Sequence, residues 1–295
     1  MRTIEYFADP VLRAAFLPAV VCGLGVAVLA SMLSMLVVLK RLAFIGQGVS
    51  HAAFGGVGVA AALGLAGGGL GAEGYAVVAA FCFGAAWVIG LLEERRGGGL
   101  DTSIGVVLVA SMALGSMLMH WSARRGGPPP PAWESVLFGS LGGVGWIDVA
   151  WAWGGAAVVA LVLWWSRRWL WFWAFDEEAA AAFGAPSVAL RAVMLGLIAG
   201  VVVIAMKLVG VVLATALLVL PGAIALRLSD RLGRVMGWSV CGAVGAMLAG
   251  LFASFELDLP PGAAVVGALT IAYFCIRVAT RLGRRAPATR PVRAG

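Results

Sequence analysis

"LAFIGQGVSHAAFGGVGVAAALGLAGGGLGA", residues 42–72, runs for 31 residues without Asp, Glu, Lys or Arg. A hydrocarbon core of about 30 Å takes ~20 helical residues to cross, so this run alone can span a bilayer. It has company: charge-free runs also cover residues 14–39, 74–92, 102–123, 149–166, 192–206, 208–226, 235–255 and 259–276. Over the whole chain of 295 residues, 62% are hydrophobic and 12% charged, where a soluble domain carries roughly 25% charged residues. Lipid offers backbone N–H and C=O groups no water, so spans of this length must be helices. The expected fold is all-α, a polytopic integral membrane helical bundle with eight or nine transmembrane helices. Residues 192–226 would measure ~52 Å as one helix, so the chain must break or turn around Lys207.

The basic residues orient the bundle. Cytoplasmic loops concentrate Lys and Arg, and placing the loops after spans one, three, five and seven, together with the C-terminal tail, inside collects sixteen of the 21 Lys and Arg residues there. The N-terminus is then out and the C-terminus in. The net charge of +7 follows from this topology rather than from nucleic-acid binding, since no soluble module exists to carry it. The first apolar run leads into further spans instead of a polar mature domain, so it is expected to stay on the protein. Cys22, Cys82, Cys241 and Cys275 have no C-x-x-C spacing and read as small hydrophobes. Glycine, at 42 residues, sits largely within the spans, where small side chains let helices approach closely. The twelve tryptophans favour span ends, as expected of an interfacial belt. "RRGGPPPPAW", 124–133, reads as a stiff extracytoplasmic linker.

Polar residues within spans mark pathways. Gln47 and His51 are four apart and share one helical face, where an amide oxygen and an imidazole nitrogen could meet one ligand. His51 reads as a transient metal ligand, or else as a hydrogen-bond partner for a neighbouring carbonyl. Imidazole suits zinc, copper, iron or nickel, and carbonyl oxygen tolerates manganese. His120, where a span should exit, is a weaker candidate. "FDEEAAAAFGAPS", 175–187, places three acids at the favourable end of a short helix that Gly184 and Pro186 stop. On the cytoplasmic surface it is either a docking element or a connector. "LVLPGAIA", 218–225, carries a Pro-Gly break inside a span. Glu256 and Asp258 either attract a cation at the outer mouth or cap a turn. Ser50, Lys207, Pro221 and Asp258 are the further candidates for a pathway or gate. No Walker, H-E-x-x-H or Ser/His/Asp pattern is present, so the chain is not expected to be an enzyme. The lack of acids in mid-span argues against an ion-coupled secondary transporter.

In order and spacing, "KRLAFIGQGVSHAAFGG", "DTSIGVV", "SVLFGSL", "FDEEAAAAFG", "KLVGVVLATALLVLPGAIA" and "ELDLPPGAAVV" resemble the permease subunits of zinc, manganese and iron-type metal ABC transporters. The likeness to vitamin B12 and siderophore permeases is more distant, and a permease of that kind is the alternative reading. The resemblance implies a fold like that of type II ABC importers, with a permease domain over residues 1–285 and a disordered basic tail at 286–295. It implies a homodimer in the bacterial cytoplasmic (inner) membrane, in contact with lipid, a cytosolic ABC ATPase dimer and an extracytoplasmic metal-binding protein. No permanent cofactor is implied: zinc or manganese is the cargo, and ATP acts through the partner. The family's coupling helix falls at about 175–186, making Phe175, Asp176, Glu177, Glu178 and Gly184 the implied ATPase-docking residues. Its G-D-x-x-S-H-A motif falls on Gln47, Ser50 and His51. Gln47 thus stands where the family keeps an aspartate, and an amide balances none of a cation's charge. "DLPPG" stands for the usual D-L-P-T-G.

Overall fold

A computed structural model describes residues 10–66, 71–96, 100–126 and 144–284. "SVLFGSL", most of the proline linker and the basic tail lie outside the described residues. The described chain folds into α1 (Pro10–Leu39), α2 (Ala43–Ala62), α3 (Ala72–Arg96), α4 (Leu100–Arg124), α5 (Trp146–Phe175), α6 (Glu177–Ala182), α7 (Ser187–Leu228), α8 (Leu232–Leu257) and α9 (Pro261–Arg284). Eight segments among them are long and apolar enough to cross a membrane, with α7 contributing two, Ser187–Met206 and Gly210–Leu228.

α2 is not one of the eight, because its glycines and its Gln47, Ser50 and His51 dilute its apolar character. It crosses nonetheless. Its first residues follow the turn that carries Lys40, which pairs with Glu177 at one end of the bundle. At the other end the Ala61 carbonyl accepts a hydrogen bond from the Ser122 hydroxyl at the close of α4, 2.9 Å away. The described residues therefore make nine crossings. α1, α2 and the second half of α7 are the most deeply buried, whereas α9 is the least buried and mostly half-exposed.

The long segment breaks at Gly210, whose φ of 75° and ψ of 170° lie outside any helix. Glycine accepts that backbone at little steric cost. Both ends of α7 return to one side: Arg191 pairs with Glu177 near its start, and the Gly222 N–H donates to Ser34 Oγ, near the end of α1, at 2.7 Å. The reversal thus falls three residues past Lys207. The expected break at Pro221 does not occur, since the helix runs on through Pro221 to Leu228. α1 lies against this turn so closely that a Cβ on Gly222 would be 2.5 Å from the Ser34 backbone. A neighbouring hydroxyl here takes up a backbone donor beside the proline, the way membrane helices absorb such residues.

Helix contact also explains the glycine content of α2. A Cβ on Gly58 would lie 2.6 Å from Cα and O of Gly115 on α4, so the two helices touch backbone to backbone. In "GWSVCGAVG" on α8, by contrast, Gly237, Gly242 and Gly245 face open space. The cysteines form no disulfide; Cys22 and Cys82 are buried, Cys241 and Cys275 exposed.

Candidate functional site

Gln47 and His51 sit on α2, the helix most enclosed by its neighbours. At 1.5 Å per residue His51 is about 12 Å from the start of this helix beside Lys40, away from either end of the bundle. Both are half-buried, and Phe44, one turn earlier on the same strip, is 62% exposed. Among the described residues, the face of α2's inner half left open is therefore the face that carries its polar pair. Gln47 Nε2 lies 2.8 Å from His51 Nε2. With the amide donating, the imidazole is neutral, carries its proton on Nδ1, and accepts at Nε2. That lone pair is the one a cation would take. Turning the amide by half a turn presents Oε1 instead, leaving oxygen and nitrogen side by side for one cation. Among the described residues no group of three or more His, Cys, Asp or Glu gathers into a metal cluster. Two neutral donors suit brief occupancy, as a path requires, better than storage.

Ser50 is fully buried, and its hydroxyl has no hydrogen-bond partner among the described residues. It lies one turn beyond Gly46, whose face meets Leu218 of α7. Ser50 and Pro221 thus belong to the α2–α7 seam, on a different face from His51. The side chain of Lys207 lies outside the description. Asp258 is exposed, in the left-handed conformation at φ 57°, and its N–H bonds to the Ser254 carbonyl as the C-cap of α8. The Ser254 hydroxyl closes the same turn by donating to the Leu259 carbonyl at 2.7 Å. Asp258 thus takes the C-cap position through its backbone. His120 is exposed on α4, toward the far end of the bundle from Lys40. The structure therefore does not gather Ser50, Pro221 and Asp258 with Gln47 and His51 into one cluster.

The surface helix is α6. Asp176 is its N-cap, with Oδ1 accepting the Ala179 N–H at 2.8 Å. Gly184, at φ 86°, ends it in a Schellman motif: the Ala185 N–H reaches the Ala180 carbonyl and the Gly184 N–H the Ala181 carbonyl. The three acids differ in their contacts, although Asp176 and Glu178 are both exposed. Asp176 is spent on the cap, and Glu177 turns inward to Lys40 at 2.8 Å and Arg191 at 2.6 Å. Phe175, Glu178, Phe183 and Gly184 remain on the outer surface, with the two phenylalanines 61% and 75% exposed. Phe183 is the residue that the sequence reading overlooked.

Lys40 also lies 3.9 Å from the centroid of the buried Trp173 ring. A cation so placed over an indole gains about 1–2 kcal/mol when shielded from water. Burial pushes the Glu177 carboxyl up, but the hydrogen bonds and charges of Lys40 and Arg191 outweigh it and hold it below the ordinary glutamate value.

Residues 13–280 match the ABC 3 transport family. Among curated proteins, the chain is 31% identical over 266 residues to a "Probable metal transport system membrane protein" of Thermotoga maritima, covering 89% of each chain. It is 26% identical over 270 residues to the manganese transport system membrane protein MntB of Synechocystis sp., covering 91% of this chain and 84% of that one. Among solved structures, PsaBC from Streptococcus pneumoniae in complex with Fab superimposes with a TM-score of 0.75 at 24% identity, over 92% of this chain and 93% of that one. This multi-pass membrane protein of the bacterial cell membrane, matched over nearly all its length, belongs to the ABC 3 transport family.

Proposed function

We propose that the chain is the membrane-spanning permease of an ATP-driven importer of a divalent metal, zinc or manganese. The observation that carries this reading is the open strip on α2, where Gln47 and His51 lie within the membrane on a face the subunit itself leaves uncovered. Polar groups at that depth need a partner or a water-filled path. A second copy of the chain, set against this strip, supplies both. A cation delivered from outside by a binding protein passes between the two copies, exchanges water briefly for the His51 nitrogen and the Gln47 oxygen, and continues inward. The permease contributes the path and two arrangements of it; a cytosolic ATPase dimer, docked on Phe175, Glu178 and Phe183 of the α6 region, contributes the energy. The metal and manganese transport named for the Thermotoga and Synechocystis relatives support the choice of cargo.

The test is uptake of radiolabelled zinc and manganese into proteoliposomes holding the permease and its ATPase, with ATP inside the compartment the ATPase faces. Uptake should require ATP and be insensitive to dissipation of the proton gradient. His51→Ala should lower uptake about tenfold or more at equal protein level, the usual effect of losing a metal ligand or its support. Wild-type rates for both metals in that variant would remove the ligand role.

A further inference from the structure

Glu177 joins parts of the chain that are far apart in sequence. Its carboxylate holds Arg191 near the start of α7 with one oxygen and Lys40, 137 residues away, with the other. Lys40 is not a free surface cation: its side chain is 12% exposed and packed over Trp173. It occupies the corner between α1 and α2, and that corner is tightly specified. The Leu42 N–H bonds the Val37 carbonyl at 2.8 Å, the Arg41 N–H bonds the Val38 carbonyl at 3.2 Å, and Arg41 itself takes a left-handed φ of 58°. α2 begins at Ala43, and Gln47 and His51 lie one and two turns further along it.

From these contacts we propose that Lys40 is a positioning residue, and that the Lys40–Glu177–Arg191 clamp is the link by which motion of α6 resets the α1–α2 corner and, with it, the Gln47–His51 pair. The proposal rests on the reading that α6 docks the ATPase. Without the clamp, α6 would move its covalent neighbours α5 and α7, and that motion would reach the helix bearing the polar pair through helix packing and through the bonds of α5 and α7 to the body of α1. With it, a displacement of Glu177 pulls directly on the corner from which α2 rises. The linkage is short and rigid: one ion pair, one three-residue turn, and less than three turns of helix.

Lys40→Met isolates this link, because it keeps the stem over Trp173 and leaves Glu177 paired with Arg191, so α6 stays fixed to α7. In proteoliposomes of the assembled transporter, Lys40→Met should retain the ATPase subunit but move about tenfold less metal per ATP hydrolysed, within the range of coupling energies between sites. Lys40→Arg should recover most of the wild-type ratio. Glu177→Gln, which keeps the shape and loses the charge, serves as a second variant with the same expected fall. An unchanged metal-per-ATP ratio in Lys40→Met overturns the proposal, as does an equal loss in Lys40→Arg or detachment of the ATPase in Lys40→Met. Phe183→Asp reports on docking separately: it should release the ATPase subunit, and retention there would overturn the docking reading rather than the clamp.

Discussion

Gly58→Ala tests whether the helix that carries the polar pair is held by backbone contact. The added carbon would sit 2.6 Å from Cα and O of Gly115, whereas carbon atoms rest at about 3.5–4.0 Å. α2 and α4 must therefore separate by about 1 Å. The opposite wall cannot yield, because a Cβ direction on Gly115 already meets the Phe54 carbonyl at 2.6 Å and Gly55 Cα at 3.0 Å. Overpacking of a rigid contact costs about 1–3 kcal/mol, and each kcal/mol lowers the Tm of a domain this large by about 2–4 °C. Thermal unfolding of the purified protein in detergent, followed by tryptophan fluorescence, should show Gly58→Ala melting roughly 2–10 °C below wild type. Gly242→Ala is the matched control, since its Cβ meets nothing within 4 Å and alanine is the better helix former by about 1 kcal/mol. Equal melting temperatures for Gly58→Ala and Gly242→Ala would refute the backbone-contact reasoning.

Two further expectations concern the cytoplasmic corner. Arg41 holds a left-handed φ of 58°, a conformation that costs an L-residue about 1–2 kcal/mol; Arg41→Gly should melt at or above the wild-type temperature and Arg41→Val clearly below it, and the reverse order would contradict the assigned turn. Glu177 is held below its ordinary value of 4.5 in the folded protein, so its stabilising contribution is complete above that value and is lost as pH falls through the lowered one. Hydrogen exchange of the amides in residues 177–183, corrected for intrinsic rates, should be constant from about pH 7 to 5 and rise only below about pH 4. A rise beginning above pH 6 would assign the transition to another group.

Much of this architecture is legible in the sequence because lipid imposes a length and a composition on each crossing. The over-long segment around Lys207 was bound to break by length alone, and it does so at Gly210. Pro221 pointed to a second break that is absent, because the hydroxyl bonding Gly222 belongs to Ser34, 188 residues away, and no local pattern announces it. The surface helix was readable from its cap and stop residues, but the division of labour among its acids was not. Asp176 caps by a local geometry that any N-terminal acid could adopt; Glu177 is spent on Lys40 and Arg191, whose charges in sequence look like ordinary topology signals. Gln47 and His51 are paired by their spacing, and their direct hydrogen bond adds what spacing alone leaves open, that the amide of one already engages the imidazole of the other.

The modest apolar character of α2 bears on how the protein is made. Eight segments are apolar enough to leave the insertion machinery for lipid on their own account. α2, with five glycines beside its glutamine, serine and histidine, is not. It follows α1 after a turn of only three residues, so insertion of the pair as a helical hairpin is the expected route, the first helix carrying the second. The polar residues and glycines of α2 thus tie it to its predecessor during synthesis, and a lesion in α1 would be felt first as a misplaced His51.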